Sequence, residues 1–203
     1  MVNIKILNLY VGIGGNRKLW PNDKIEVTAI ELNPKIAAIY KDFFPNDTVV
    51  VGDAHKYLLD HYAEFDFIWA SPPCPSHSPI RKVFHNQNKP IYPDMKLYEE
   101  ILFLRGYFKG KGVVENVISW YKPLILPYKF KHHYYWANFI ISGKEKAFRN
   151  HYGGVEELSE LKGFNISDYG GIDKEKTLRN CVEPLAGLEI FNLAFKEKQK
   201  RLI

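Results

Sequence analysis

Cysteine is scarce in this chain: Cys74 and Cys181 are the only two among 203 residues. Two thiols can build neither a disulfide framework nor a tetrahedral cysteine site, so no metal site is expected and a reducing compartment is the natural setting. Long apolar runs are missing as well, which excludes a membrane-spanning helix. The first apolar stretch, residues 4–10, is broken by Lys5 and Asn8 and runs into glycines, unlike a signal peptide. There is no internal repeat and no strong excess of one charge. The balance of 28 Lys and Arg against 23 Asp and Glu gives a net +5, with a pI near 9.0. That permits a polyanionic partner without requiring one.

What is present suits one well-buried domain: 46% of residues are hydrophobic and 25% charged. Short apolar runs alternate with helical patterns, the mark of an open α/β sheet. Residues 4–10 read as a buried strand ending in the glycine turn of Gly12, Gly14 and Gly15. Such a turn lets backbone approach a ligand closely. A second strand, 26–30, ends at Glu31, about where nucleotide-binding sheets hold a ribose diol. A helix follows from Asn33 and Pro34, a third strand spans 48–51, and Asp53 stands ready to cap a helix over 54–62 or to receive a ligand amine.

The organising stretch is the fourth strand, 65–70, which runs into Ser71, Pro72, Pro73, Cys74 and Pro75. Each proline fixes φ and removes a donor, so the turn can join neither ladder nor helix and presents Cys74 at a strand's carboxyl end. Cys74 is the candidate nucleophile. Residues 79–93 are polar, basic and bounded by prolines, expected as a lid or binding loop without secondary structure of its own. Residues 94–109 form the clearest helix, with Asp94 as N-cap and a Leu97, Ile101, Leu104, Phe108 stripe that assigns it to core packing. A fifth strand, 112–117, carries Glu115 at the end of an apolar run, where a carboxylate is costly to bury without purpose. A sixth strand is expected over 134–141, preceded by the basic run Lys129, Lys131, His132 and His133, whose residue types suit phosphate contacts. Helical pattern returns around 155–161, and a last helix spans 184–198.

In this order the motifs resemble the DNA cytosine-5 methyltransferases, from the first strand to the last helix. The resemblance implies a Rossmann-like α/β methyltransferase fold, a single mostly parallel sheet flanked by helices, with S-adenosyl-L-methionine as cofactor and cytosine-containing DNA as partner. Residues 9–15 correspond to the methyl-donor loop, so Tyr10, Gly12, Gly14 and Gly15 are expected at the donor with Glu31, Leu32, Asp53, Ala54, Pro72, Asn180 and Val182. Cys74, Glu115 and Asn116 match the catalytic Pro-Cys and Glu-Asn-Val motifs, and Ser76, Ser78, Arg81, Lys82, Lys129, Lys131 and His133 are expected on the nucleic acid. Two departures stand out: Lys129 to His133 replaces the family's Gln-x-Arg-x-Arg segment, and only residues 143–177 remain for target recognition. So short a segment predicts a short or degenerate recognition site; the alternative is that a partner chain or self-association supplies the missing surface. The resemblance also places the protein in the cytoplasm, of a bacterium or of the host of a phage.

The chemistry supports the pairing of thiol and carboxylate on its own terms. C5 of cytosine is a poor nucleophile, and addition of a thiolate to C6 turns the ring into an enamine. A free thiol of pKa about 8.5 is a few per cent thiolate at neutral pH, so Cys74 needs only modest activation. The target base must leave the stack for C6 to be reached. Two alternatives remain open: an RNA cytosine-5 methyltransferase, for tRNA, with the same pocket chemistry, and a catalytically idle DNA-binding relative, against which the intact Cys74 and Glu115 speak; an amino-group methyltransferase would need an Asn/Asp-Pro-Pro-aromatic turn, where Ser71-Pro72-Pro73-Cys74 supplies a nucleophile instead.

Overall fold

The computed structural model describes residues 3–83, 89–142 and 153–196. In order these run β1 (Ile4–Leu9), β2 (Ile25–Glu31), α1 (Pro34–Phe43), β3 (Thr48–Val51), α2 (Ala54–His61), β4 (Phe67–Ala70), α3 (Pro79–Val83), α4 (Lys96–Tyr107), β5 (Lys111–Val117), β6 (Tyr128–Phe130), β7 (His133–Ala137), α5 (Val155–Lys162), α6 (Lys174–Arg179) and α7 (Pro184–Phe195).

Strands β1 to β5 are all parallel, and the sheet order is β3-β2-β1-β4-β5-β7-β6, with β7 antiparallel to both neighbours. Both faces are covered, which is why β4 reads as an unbroken apolar run and β1 as one interrupted only by Lys5 and Asn8. Alternation then sorts their side chains. Leu7, Leu9, Ile68, Ala70 and Val114 face α2 and α4, where Leu58, Leu97, Ile101 and Leu104 meet them. Ile6, Phe67, Trp69, Val113 and Tyr135 face α7, against Ile190, Phe191 and Ala194. This is the α/β Rossmann-like fold that the resemblance implies.

The crossover from β1 to β2 carries no helix. Its place on the sheet is taken by α7, which lies so close that a Cβ on Gly187 would strike the backbone of Asn16, while Trp20 Nε1 donates to the Gly187 carbonyl at 3.1 Å. The crossover is held instead by buried polar groups. Asn8 and Asn16 exchange side-chain hydrogen bonds, and Arg17 makes two bonds to Asp47, 2.9 and 3.1 Å, with Tyr40 donating to the same carboxylate at 2.8 Å.

Several elements differ from expectation, each for a visible reason. The helix expected from Asp94 begins two residues later: Asp94 Oδ1 accepts from Lys96 N at 3.1 Å, an Asx turn ahead of α4 rather than its cap. Residues 79–93 are not structureless, because Pro79 starts the short helix α3; residues 84–88 and the side chains of Arg81 and Lys82 lie outside the described residues. The strand expected over 134–141 stops at Ala137, since the Asn138 side chain takes over the ladder's partners, accepting from Gly112 N and donating to Gly110 O. Its basic approach is in fact a hairpin: β6 and β7 are joined by Lys131 and His132, with φ of 44° and 64°. Of residues 143–177, those from 153 on are described, and they pack Leu158, Phe164 and Ile166 with Ile13 of the glycine turn and Ile39 of α1.

Asp47→Ala would leave the Arg17 guanidinium, 4% exposed, without its counter-ion. It is expected to cost about 3–5 kcal/mol, read as a lower urea midpoint. Unchanged stability would show that this ion pair does not hold the crossover.

Candidate active site

Parallel strands end together, so the carboxyl ends of β1 to β5 place their turns along one edge of the sheet. After β1 the chain turns through Tyr10, Gly12 and Gly14 at φ of 58°, 53° and 89°. The Glu31 carboxylate braces this turn: Oε2 accepts from Gly12 N at 3.0 Å and Oε1 from Asn33 N at 2.9 Å. A Cβ on Gly14 would meet the Tyr40 and Phe44 rings, and one on Gly15 the Val182 carbonyl and Cys181 Sγ. A Cβ on Gly12 would meet nothing within 4 Å. The turn is thus packed from beneath and open at Gly12. At the tip of β3, Asp53 Oδ1 caps α2 through His55 N and Lys56 N, 2.9 and 3.3 Å. Ala54 is buried behind it, and Leu32 beside Glu31 is 71% exposed. Of the C-terminal candidates, Val182 lies on the glycine turn, while Asn180 is exposed at the end of α6.

The second half of the edge is built by β4 and β5. Ala70 is in register with Val114, so the turn after β4 and the end of β5 are neighbours. Asn116 Nδ2 donates to the Pro72 carbonyl at 2.8 Å and ties them. Behind Cys74 the chain closes sharply, with His77 N and Ser78 N both donating to the Cys74 carbonyl at 2.9 and 3.0 Å. Buried His77 then meets the Tyr121 hydroxyl at 2.6 Å, and burial lowers its pKa, favouring the neutral ring. Glu115 is 6% exposed. Burial, and next the charge of Glu115, push the Cys74 thiol above its ordinary value. The modest activation expected of Cys74 is therefore not supplied by these surroundings, which hold it as a thiol.

The expected nucleic-acid residues do not form one basic row. Lys129 is exposed on β6, but Lys131 donates to Glu189 of α7 at 2.6 Å, and His133 Nε2 stands 3.4 Å from Glu115 Oε1. Ser76 is buried, its Oγ accepting from Asp94 N at 2.9 Å, whereas Ser78 is half-buried.

One functional residue escaped the sequence reading. Glu100 of α4, assigned to a packing helix, is buried with Oε1 accepting from the Tyr10 hydroxyl and facing His55 Nδ1 at 3.0 Å. Its Oε2 is buried without a partner, and burial raises its pKa. It joins the glycine turn to the start of α2 behind Asp53. Its signal was a carboxylate three residues after Leu97 and one before Ile101, on the buried side of the stripe. Among the described residues no cluster of His, Cys, Asp and Glu could hold a metal ion, and no helix is long and apolar enough to cross a membrane.

Iodoacetamide should modify Cys74 slowly near neutral pH, with a rate that climbs as pH passes the ordinary thiol range. Glu115→Gln should speed it severalfold at fixed pH by removing the neighbouring charge. Cys181, pushed up to about 12 chiefly by burial, is the internal control and should stay unmodified in native protein. Mass spectrometry reads both sites; Cys74 reacting faster than free cysteine at neutral pH would show that burial and Glu115 do not govern it.

Comparison with solved structures finds an Entamoeba histolytica methyltransferase, EhMeth, with a TM-score of 0.55 at 12% identity, covering 98% of this chain and 100% of that one. At that identity the likeness is one of fold. A mutant of Spodoptera frugiperda DNMT2 is found at a TM-score of 0.40 and 22% identity, over 57% of this chain and 36% of that chain. An Agrobacterium tumefaciens SAM-dependent methyltransferase follows at 0.45 and 15%, over 59% and 40%. No curated protein matches the chain. A family model does match, over residues 4–96, which hold the glycine turn, Glu31, Asp53 and Cys74 but not Glu115. The model is that of the C-5 cytosine-specific DNA methylases, and the similarity of residues 4–96 to it supports methyl transfer.

Proposed function

We propose that the chain methylates C5 of cytosine in DNA through a covalent bond between Cys74 and C6 of a flipped-out base. The observation that carries this reading is the juxtaposition of a thiol and a carboxylate on adjacent parallel strands, close enough for Glu115 to raise the Cys74 pKa. Addition forms the sulfur–C6 bond and drives the C5–C6 π pair toward N3, where Glu115 donates a proton or hydrogen bond. Before it adds, Cys74 gives its thiol proton to water, helped as the entering cytosine separates the thiol from the Glu115 charge. After methylation C5 loses its proton to water, and elimination breaks the sulfur–C6 bond and returns the thiolate. Asn116, through Pro72, keeps the two strand ends in register meanwhile.

The other end of the edge fits a methyl donor. The open face at Gly12, the braced Glu31 and the acid Asp53 suit, in turn, backbone approach, a ribose diol and an adenine amine. S-adenosyl-L-methionine bound there supplies the methyl group on a sulfonium centre. Tyr10, Gly14, Gly15, Leu32 and Ala54 lie on these turns and Val182 against the first of them, and Pro72 and Asn180 are assigned to the donor with them. In this reading residues 1–203 form one catalytic domain, with 143–177 as a reduced target-recognition segment and a partner or second copy completing the surface. Lys129, exposed on β6, is assigned to phosphate together with Arg81 and Lys82.

DNA containing 5-fluorocytosine should trap the wild-type protein covalently, since fluorine cannot leave C5 as a proton, and Cys74→Ala should form no adduct and transfer no methyl group. Turnover by the alanine variant would remove Cys74 from the chemistry; adducts formed with tRNA but not DNA would move the assignment to RNA. Glu31→Ala and Asp53→Ala should each weaken donor binding about tenfold or more, the loss expected of a charge-assisted hydrogen bond. Calorimetry giving unchanged affinity would place the donor elsewhere.

A further inference from the structure

His133 was expected to face phosphate and instead faces Glu115. It lies on β7 opposite Val117, hence diagonal to Glu115, whose direct partner is Tyr135. Diagonal residues share a face of the sheet and lie within reach of long side chains. Nε2 is 3.4 Å from Glu115 Oε1, and Nδ1 is 3.3 Å from the Lys131 carbonyl. A carbonyl oxygen only accepts, so Nδ1 carries its hydrogen and Nε2 is the nitrogen turned to the carboxylate. Two lone pairs do not face each other at this distance without cost. One proton belongs between them, on Nε2 beside a carboxylate or on Glu115 beside a neutral ring, and the same geometry serves both.

The surrounding elements preserve that arrangement. Lys131 and His132 occupy the hairpin turn in left-handed conformations, each costing about 1–2 kcal/mol for a residue other than glycine. The Lys131 ammonium is held by Glu189 of α7, which anchors the turn whose carbonyl orients the ring. The other titratable groups around the pair are Cys74 from the β4 turn and Tyr135, whose buried hydroxyl lacks a partner.

We propose that His133 is a positioning residue for Glu115, sharing with it the single proton that Glu115 presents to N3 of the base. This rests on the reading of Cys74 and Glu115 given above. As the Cys74 sulfur bonds to C6, the one shared proton passes through Glu115 to N3, leaving a neutral His133 ring beside the carboxylate. On elimination the sulfur–C6 bond breaks and N3 returns that proton to Glu115, where Nε2 shares it again. Nothing is consumed.

Two measurements test this. In the free protein, long-range 1H–15N correlation should show His133 protonated at Nδ1, with an Nε2 resonance that moves on Glu115→Gln. A neutral ring protonated at Nε2, or a resonance indifferent to Glu115→Gln, overturns the proposal whatever the substrate is. With 5-fluorocytosine DNA, His133→Gln should slow adduct formation about tenfold or more on the alkaline side and less at acid pH, where solvent protons replace the one that His133 shares. Donor affinity should be unchanged. Equal loss at every pH, as from a structural defect, or no loss at all, overturns the shared-proton role. A wild-type protein that forms no adduct with any cytosine substrate overturns the methyl-transfer reading itself, while the free-protein spectrum still decides the pairing.

Discussion

The register of β4 against β5 is the constraint on which the active edge depends. Pro72, Pro73 and Pro75 have no N–H to give, so β4 cannot lengthen into the turn, and the buried Pro72 carbonyl must find a donor off its own ladder. Asn116 is that donor, from the next strand. One side chain therefore satisfies a backbone group and sets Cys74 beside Glu115. Asn116 stands on the face opposite Glu115 by the alternation of β5, so a slip of one residue would exchange them and abolish both the tie and the carboxylate.

Further buried polar groups brace the elements on which this edge stands. Arg17, Asp47 and Tyr40 hold the helix-free crossover behind the glycine turn, Glu100 joins Tyr10 to His55, and His133 and Lys131 brace Glu115 from the hairpin and α7. Buried polar networks are costly where incomplete and rigid where complete. Here they replace what a longer chain would do with extra helices: α7 covers the sheet where a crossover helix would lie, and ion pairs fix the turns that it would have carried.

The thiol and the carboxylate also oppose each other in the free protein. Burial and the Glu115 charge both disfavour the thiolate, which in the proposed reaction would restrain the nucleophile until a substrate separates the two groups. A reactive thiolate exposed at rest would be open to oxidation and alkylation. The resting arrangement protects Cys74 at the expense of readiness.

Much of this was legible in the chain. Periodicity separated the strands from the amphipathic helices, asparagine and proline marked the start of α1, glycines marked the turn after β1, and prolines marked the Cys74 turn, because each of these acts through the backbone of its own few residues. Glu31, Asp53, Cys74 and Glu115 were visible as polar residues closing apolar runs. The basic run at 129–133 was visible only as charge; that it folds into a hairpin, spends Lys131 on Glu189 and turns His133 to Glu115 depends on strands and a helix distant in sequence. Glu100 was hidden inside a helical pattern, and α6 behind a run of charged residues. The sequence by itself determined which segments become strands and which turn ends carry reactive groups, through local backbone preference and alternation. The tertiary structure alone decided which charges pair, since a partner is chosen by proximity across the sheet, and composition says nothing of what lies 3–4 Å away.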